Sequence, residues 1–217
     1  CQTDTEKYFG DNKMTIIRES VDVPKINMKE VYRYMGVTGN PEESIVKLAY
    51  EAAEKITRAA TCRVCYTRLE IERPDNDTIV IGDIKTNSIF LNKNLHDCKE
   101  AYLFSATIGG TVDRLISAAR TAPSKALALD AAASALVEAL CDDLNSRLKS
   151  KAADEKKFLR PRYSAGFGDF TLEYQKLFVK MLDTPKNIGV VLRNGSMLYP
   201  TKSVSALIGI SDTERNL

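Results

Sequence analysis

The chain has 217 residues, 44% of them apolar and 28% charged, with a formal net charge of +2. That is enough apolar material for a real core, and a near-neutral balance without blocks of like charge argues against a nucleic-acid or membrane-surface binder. No apolar run approaches the roughly 18 residues of a membrane span, and the amino terminus lacks the basic-then-apolar pattern of a secretory signal, so a cytoplasmic location is expected.

Residues 1–13 are polar and patternless, and Met14 offers a start; they are read as an extension outside the fold, leaving 14–217 as one domain. Thr15–Val23 alternates loosely and stops at Pro24, which predicts an edge strand. Asn27 caps a short helix that Gly36 ends. Asn40-Pro41-Glu42-Glu43 reads as a cap, a proline at the first helical position and two acids in the first turn of a helix reaching about Ala60. Cys65–Glu72 and Thr78–Ile81 are strand-like, and Arg73–Asp77 between them carries Pro, Asp and Asn, a hairpin signal. A third strand is expected over Lys85–Leu91 and a short helical piece at Leu95–Asp97.

Ala101–Ile108 reads as a buried strand leading to Gly109-Gly110. Two helices follow, Thr111–Arg120 and Ser124 to about Lys151. On the longer one Leu129, Ala133, Leu136, Leu140 and Leu144 form an apolar stripe at spacings of three and four. Asp130, Ser134, Glu138 and Asp142 form a polar row on another face. After a Gly-rich loop, Leu172–Leu182 is helical, Thr184-Pro185 ends it, and Ile188–Leu192 and Val204–Ile210 are strands, with Asn194-Gly195 as a hairpin turn. Hairpins without strict strand–helix alternation predict an α+β fold, an antiparallel sheet flanked by helices.

Most catalytic equipment is missing. There is no GxGxxG, P-loop, GxSxG or HExxH, and one histidine, His96. Gly109-Gly110 reads better as a tight strand-to-helix turn than as a phosphate loop. Cys1, Cys62, Cys65, Cys98 and Cys141 are an odd set that reads as reduced thiols. Cys62 and Cys65 form a lone CxxC without a second pair, so buried structural thiols are favoured over a zinc or redox site. Chemistry, if any, falls to a bound cofactor. The stretch best suited to hold one is Arg160–Asp169, with two arginines, a proline, two glycines and exposed backbone groups.

Within it, Arg162-Tyr163-Ser164-Ala165-Gly166-Phe167-Gly168-Asp169 resembles the S-adenosylmethionine loop of the activation domain of cobalamin-dependent methionine synthase. Met197-Leu198-Tyr199-Pro200-Thr201-Lys202-Ser203-Val204-Ser205 is similar to that family's later signature, and order and separation fit over roughly residues 125–211. The resemblance implies that Arg162 holds the methionyl part, a match of guanidinium to carboxylate. It places Tyr163, Ser164, Ala165, Gly166 and Phe167 at the cofactor, with backbone contacts from Ser164 and Gly166. Gly166 is assigned to ligand approach, Gly168 to turning the chain, and Arg160 to a flanking surface charge. Glu138 is the candidate carboxylate for the cationic groups; shifted by one register, Ser134 takes that place. Ala165 stands where proline is common and Phe167 where tyrosine is, and the helix-to-loop segment is shorter than in the full-length enzyme.

The function so implied belongs to methionine biosynthesis: support for the reductive methylation of an inactive cob(II)alamin enzyme, with S-adenosylmethionine as methyl source and flavodoxin or another donor supplying the electron. The sequence has no module for cobalamin or substrate, so a stand-alone activation protein is expected, working on a methionine synthase or other corrinoid methyltransferase that carries the cobalamin. The alternative is an adaptor that docks on a corrinoid protein without binding the small ligand. A methyltransferase acting on an unrelated substrate is disfavoured by the missing Rossmann-like loop.

Overall fold

The computed structural model describes residues 2–9 and 12–214, apart from the side chains of 2 and 4–13. In chain order the strands are β1 (Gln2–Phe9), β2 (Asn12–Ser20), β3 (Arg63–Glu72), β4 (Ile79–Ile81), β5 (Ile84–Thr86), β6 (Cys98–Thr107), β7 (Phe158–Leu159), β8 (Val191–Arg193), β9 (Met197–Tyr199) and β10 (Ser203–Ser211). The helices are α1 (Met28–Tyr34), α2 (Glu43–Ala59), α3 (Ile89–Asn94), α4 (Gly110–Ala118), α5 (Pro123–Asp154), α6 (Gln175–Leu182) and α7 (Thr184–Asn187). The main sheet runs β1-β2-β3-β6-β10-β7, antiparallel at each step, with β4 and β5 extending the far end of β3. A separate hairpin, β8–β9, turns at Asn194-Gly195.

Period-two alternation sends neighbouring residues to opposite faces. Val64 and Tyr66, with Ala206 and Ile208, pack under α1, α2, α4 and α5; the intervening Cys65 and Leu207 pack with Phe170, Phe178 and Met181 on the other face. The α5 stripe of Leu136, Leu140 and Leu144 is fully buried. Buried alanines beside it, among them Ala128, Ala132 and Ala135, let the helix lie close to the sheet. No helix among the described residues is long and apolar enough to cross a membrane.

Several expectations change. The strand ending before Pro24 is not an edge strand: Gln2–Phe9, expected outside the fold, run along its outer side as β1. Pro24 lies beyond the end of β2, so it removes no ladder donor. Helix α2 begins at Glu43, with Glu42 in the cap position and no side-chain cap bond, rather than at the Asn40-Pro41 cap. The expected strand over Lys85–Leu91 stops at Thr86, and the helix placed at Leu95–Asp97 lies earlier, at Ile89–Asn94. The cause is Ser88, whose hydroxyl accepts from the Leu91 amide and starts α3. Thr184-Pro185 opens the short α7 after the left-handed Asp183, at φ 45°, and pushes the next strand on to Val191.

The CxxC thiols separate. Cys62 belongs to the helical-side core and Cys65 to the opposite one. Burial pushes the Cys62 thiol up to about 11 and Cys65 to about 12, which makes both poor nucleophiles.

Arg160 is not a surface charge. It is 3% exposed and ion-paired to Asp97, with Nε donating to Oδ1 at 3.1 Å and Nη2 donating to the Thr213 carbonyl at 2.7 Å. Arg160 holds the Asp97 carboxyl well below the usual carboxylate range, helped by Ser211 and Thr213. A depressed carboxyl contributes stability above its unfolded value, near pH 4, and loses it as pH falls further. Arg160→Met, which strands Asp97, is expected to cost about 3 kcal/mol at pH 7 in denaturant unfolding. The gap to wild type should narrow below about pH 4; a pH-independent gap would contradict this role.

Candidate cofactor-binding site

The loop is built by leaving the sheet. Arg160 N donates to the Gly209 carbonyl at 2.8 Å, and Tyr163 and Leu207 exchange backbone bonds at 2.9 Å, so residues up to 163 run along β10. Beyond Tyr163 the chain folds on itself: Gly166 N donates to the Phe170 carbonyl at 2.7 Å and Phe170 N to the Phe167 carbonyl at 3.0 Å. Both glycines are left-handed, Gly166 at φ 97° and Gly168 at φ 56°. A Cβ on Gly166 would lie 2.9 Å from Leu172 Cδ2, and one on Gly168 2.9 Å from Phe90 Cδ2. The close approach at Gly166, assigned from sequence to a ligand, is thus made by Leu172. Asp169 fixes the far end: its carboxylate accepts from the Ser88 hydroxyl, from Ile89 N at 2.6 Å and from Phe90 N at 3.3 Å. These bonds, the Ser88 hydroxyl first, hold its carboxyl below the ordinary range.

The side chains diverge accordingly. Ala165 is buried in the core, Tyr163 packs against Phe170 with ring centroids 6.3 Å apart, and Ser164 offers its carbonyl to Phe167 N at 3.4 Å. Phe167 is 65% exposed. Arg162 reaches across to α5. Its Nη2 donates to Glu138 Oε2 at 3.2 Å and to Asp142 Oδ1 at 2.9 Å. Its Nη1 is buried and meets no oxygen or nitrogen acceptor. The guanidinium lies by Cys141, whose thiol burial pushes up to about 12, an effect that the arginine's charge and its hydrogen bond to the thiol partly offset. Of the two, Glu138 meets the arginine, and Ser134 meets Lys202.

The rest of the polar row is met from the second sequence motif. Lys202 Nζ lies 2.9 Å from Ser134 Oγ and 2.9 Å from Asp130 Oδ1, and its side chain is 16% exposed. It stands in the second motif, fixed by Asp113, which accepts from Thr201 N at 2.8 Å, and by Ser203, which donates to the Pro200 carbonyl at 2.7 Å. Ser205 of the same motif is structural, accepting from Gln175. Arg162 and Lys202 thus face three carboxylates, Asp130, Glu138 and Asp142, leaving one negative charge in excess. The four-residue spacing of the row was legible; that two cations from later segments would meet it in turn was not.

No protein-family model and no curated protein sequence matches the chain. Among solved structures, a crystal structure of the MetH reactivation domain bound to AdoHcy matches it with a TM-score of 0.69. The match covers 93% of this chain and 80% of that one, at 14% identity. The fold is that of the methionine synthase reactivation domain. It bears out the α+β expectation, with its antiparallel sheet between helices. At this identity the architecture is shared and most side chains are not.

Gly166→Ala is expected to lower stability by about 1–3 kcal/mol in thermal unfolding, through the positive φ and the Leu172 contact together. Unchanged stability would show that the loop has another conformation.

Proposed function

We propose that the chain binds S-adenosylmethionine between the 162–168 loop, the polar row of α5 and the 199–203 segment, and presents its methyl group to a corrinoid. The single observation that carries this reading is the meeting of Arg162 and Glu138, 3.2 Å apart though from different elements. The residues fit the ligand's chemistry. Its α-carboxylate suits the Arg162 guanidinium, which already meets carboxylates at Glu138 and Asp142. Its ammonium and sulfonium suit Glu138 and Asp142. At neutral pH the ligand carries one net positive charge, the complement of the excess negative charge on the row.

The cofactor supplies an electrophilic methyl group, and the nucleophile belongs to a corrinoid held outside these 217 residues. What remains for this chain is to bind and orient; no side chain is needed as a general base. The partner in this reading is a methionine synthase or another corrinoid methyltransferase, with flavodoxin or a similar protein as electron donor. The fold likeness and the two sequence motifs support the cofactor part of this reading. The adaptor reading draws on one observation: Arg162 Nη2 is already engaged by two carboxylates, which could close the site without a ligand.

Isothermal calorimetry separates the two. Wild type should bind S-adenosylmethionine, and Arg162→Ala should weaken binding by about tenfold to a hundredfold through the lost charge-assisted contact. Glu138→Gln should weaken it by less. No binding by the wild type would favour the adaptor; equal binding by Arg162→Ala would remove the arginine from the site.

A further inference from the structure

The two cations on the α5 row are not equivalent. Arg162 comes from the loop and is shared between two carboxylates, Glu138 and Asp142. Lys202 comes from the segment before β10 and is shared between one carboxylate, Asp130, and a neutral hydroxyl, Ser134. Lys202 is also the more enclosed, its side chain 16% exposed against 27% for Arg162, so water screens its charge less. Along a helix, positions four apart lie about 6 Å apart, so the charge of Lys202 acts within the reach of a ligand gripped at Glu138. We propose that Lys202 determines specificity by setting how strongly the site discriminates the sulfonium, S-adenosylmethionine, from the uncharged thioether, S-adenosylhomocysteine.

The physical basis is charge. Lys202 neutralises the Asp130 end of the row and limits the excess to one negative charge. Removing it raises that excess to two. The sulfonium gains from the added field, while the thioether, which lacks that charge, gains much less. The backbone at 202 does not depend on the ammonium: Ile108 N donates to the Lys202 carbonyl at 3.2 Å, and Asp113 and Thr107 hold the flanking Thr201 and Ser203. A charge-removing substitution therefore leaves the segment in place.

This inference rests on the cofactor reading above, and one experiment tells their failures apart. Dissociation constants for both ligands are measured by calorimetry on wild type, Lys202→Met and Lys202→Arg, at low and high salt. The expected result for Lys202→Met is a rise of about fivefold in the preference for the sulfonium, shrinking at high salt, with Lys202→Arg close to wild type. The ratio is taken on one variant, so partial loss of folded protein cancels. An unchanged or lowered preference in Lys202→Met, with both ligands binding, overturns the role of Lys202 alone. A wild type that binds neither ligand overturns the cofactor reading and this inference together.

Discussion

Helix α5 has to satisfy two demands at once, and the site exists because it does. Its leucines and alanines bury one side against the sheet, which fixes its rotation. With that rotation set, Asp130, Ser134, Glu138 and Asp142 can only face the segments that carry Arg162 and Lys202. Shifting the apolar stripe by one residue would turn the acidic row by about 100° and leave both cations without partners.

Magnitudes say which interactions hold this arrangement and which are free to change. Pairs such as Arg162–Asp142, whose acid is 71% exposed, contribute at most about 1 kcal/mol. They are too weak to position the loop. That falls to the backbone bonds of Arg160 and Tyr163 to β10, the buried Arg160–Asp97 pair and the Asp169 cap on α3. A rigid loop carrying a weakly committed guanidinium is what a binding site requires, since a ligand carboxylate can replace Asp142 at little cost. In the second motif Asp113 fixes the backbone at Thr201, while Asp130 and Ser134 hold the Lys202 ammonium.

The parts of this that were legible in the sequence were periodic or local. The α5 stripe, the polar row, the hairpin turns at 73–77 and 194–195 and the Asn27 cap follow from spacing and turn chemistry, and the structure reproduces them. What was not legible depends on residues far apart in the chain. Ser88 starts a helix inside a strand-like run, with Asp169 bonded to the same turn 81 residues later. Arg160 is buried because Asp97 and Thr213 arrive to pair with it. Nothing near residues 2–9 reveals that they pair with β2. The loop composition marked a site, but only the fold shows that Leu172 fills the space beside Gly166 and that Lys202 shares the acidic row.

The central claim is that the meeting point of the loop and α5, at Arg162 and Glu138, holds the amino-acid end of an adenosyl cofactor. A crystal structure of the chain grown with S-adenosylhomocysteine tests it most directly. The expected result is the ligand's carboxylate within hydrogen-bond distance of the Arg162 guanidinium, with its ammonium facing Glu138. A ligand bound instead in the groove of about 220 Å³ between α2, α4 and α5, or an Arg162 side chain unmoved with no ligand beside it, would contradict it.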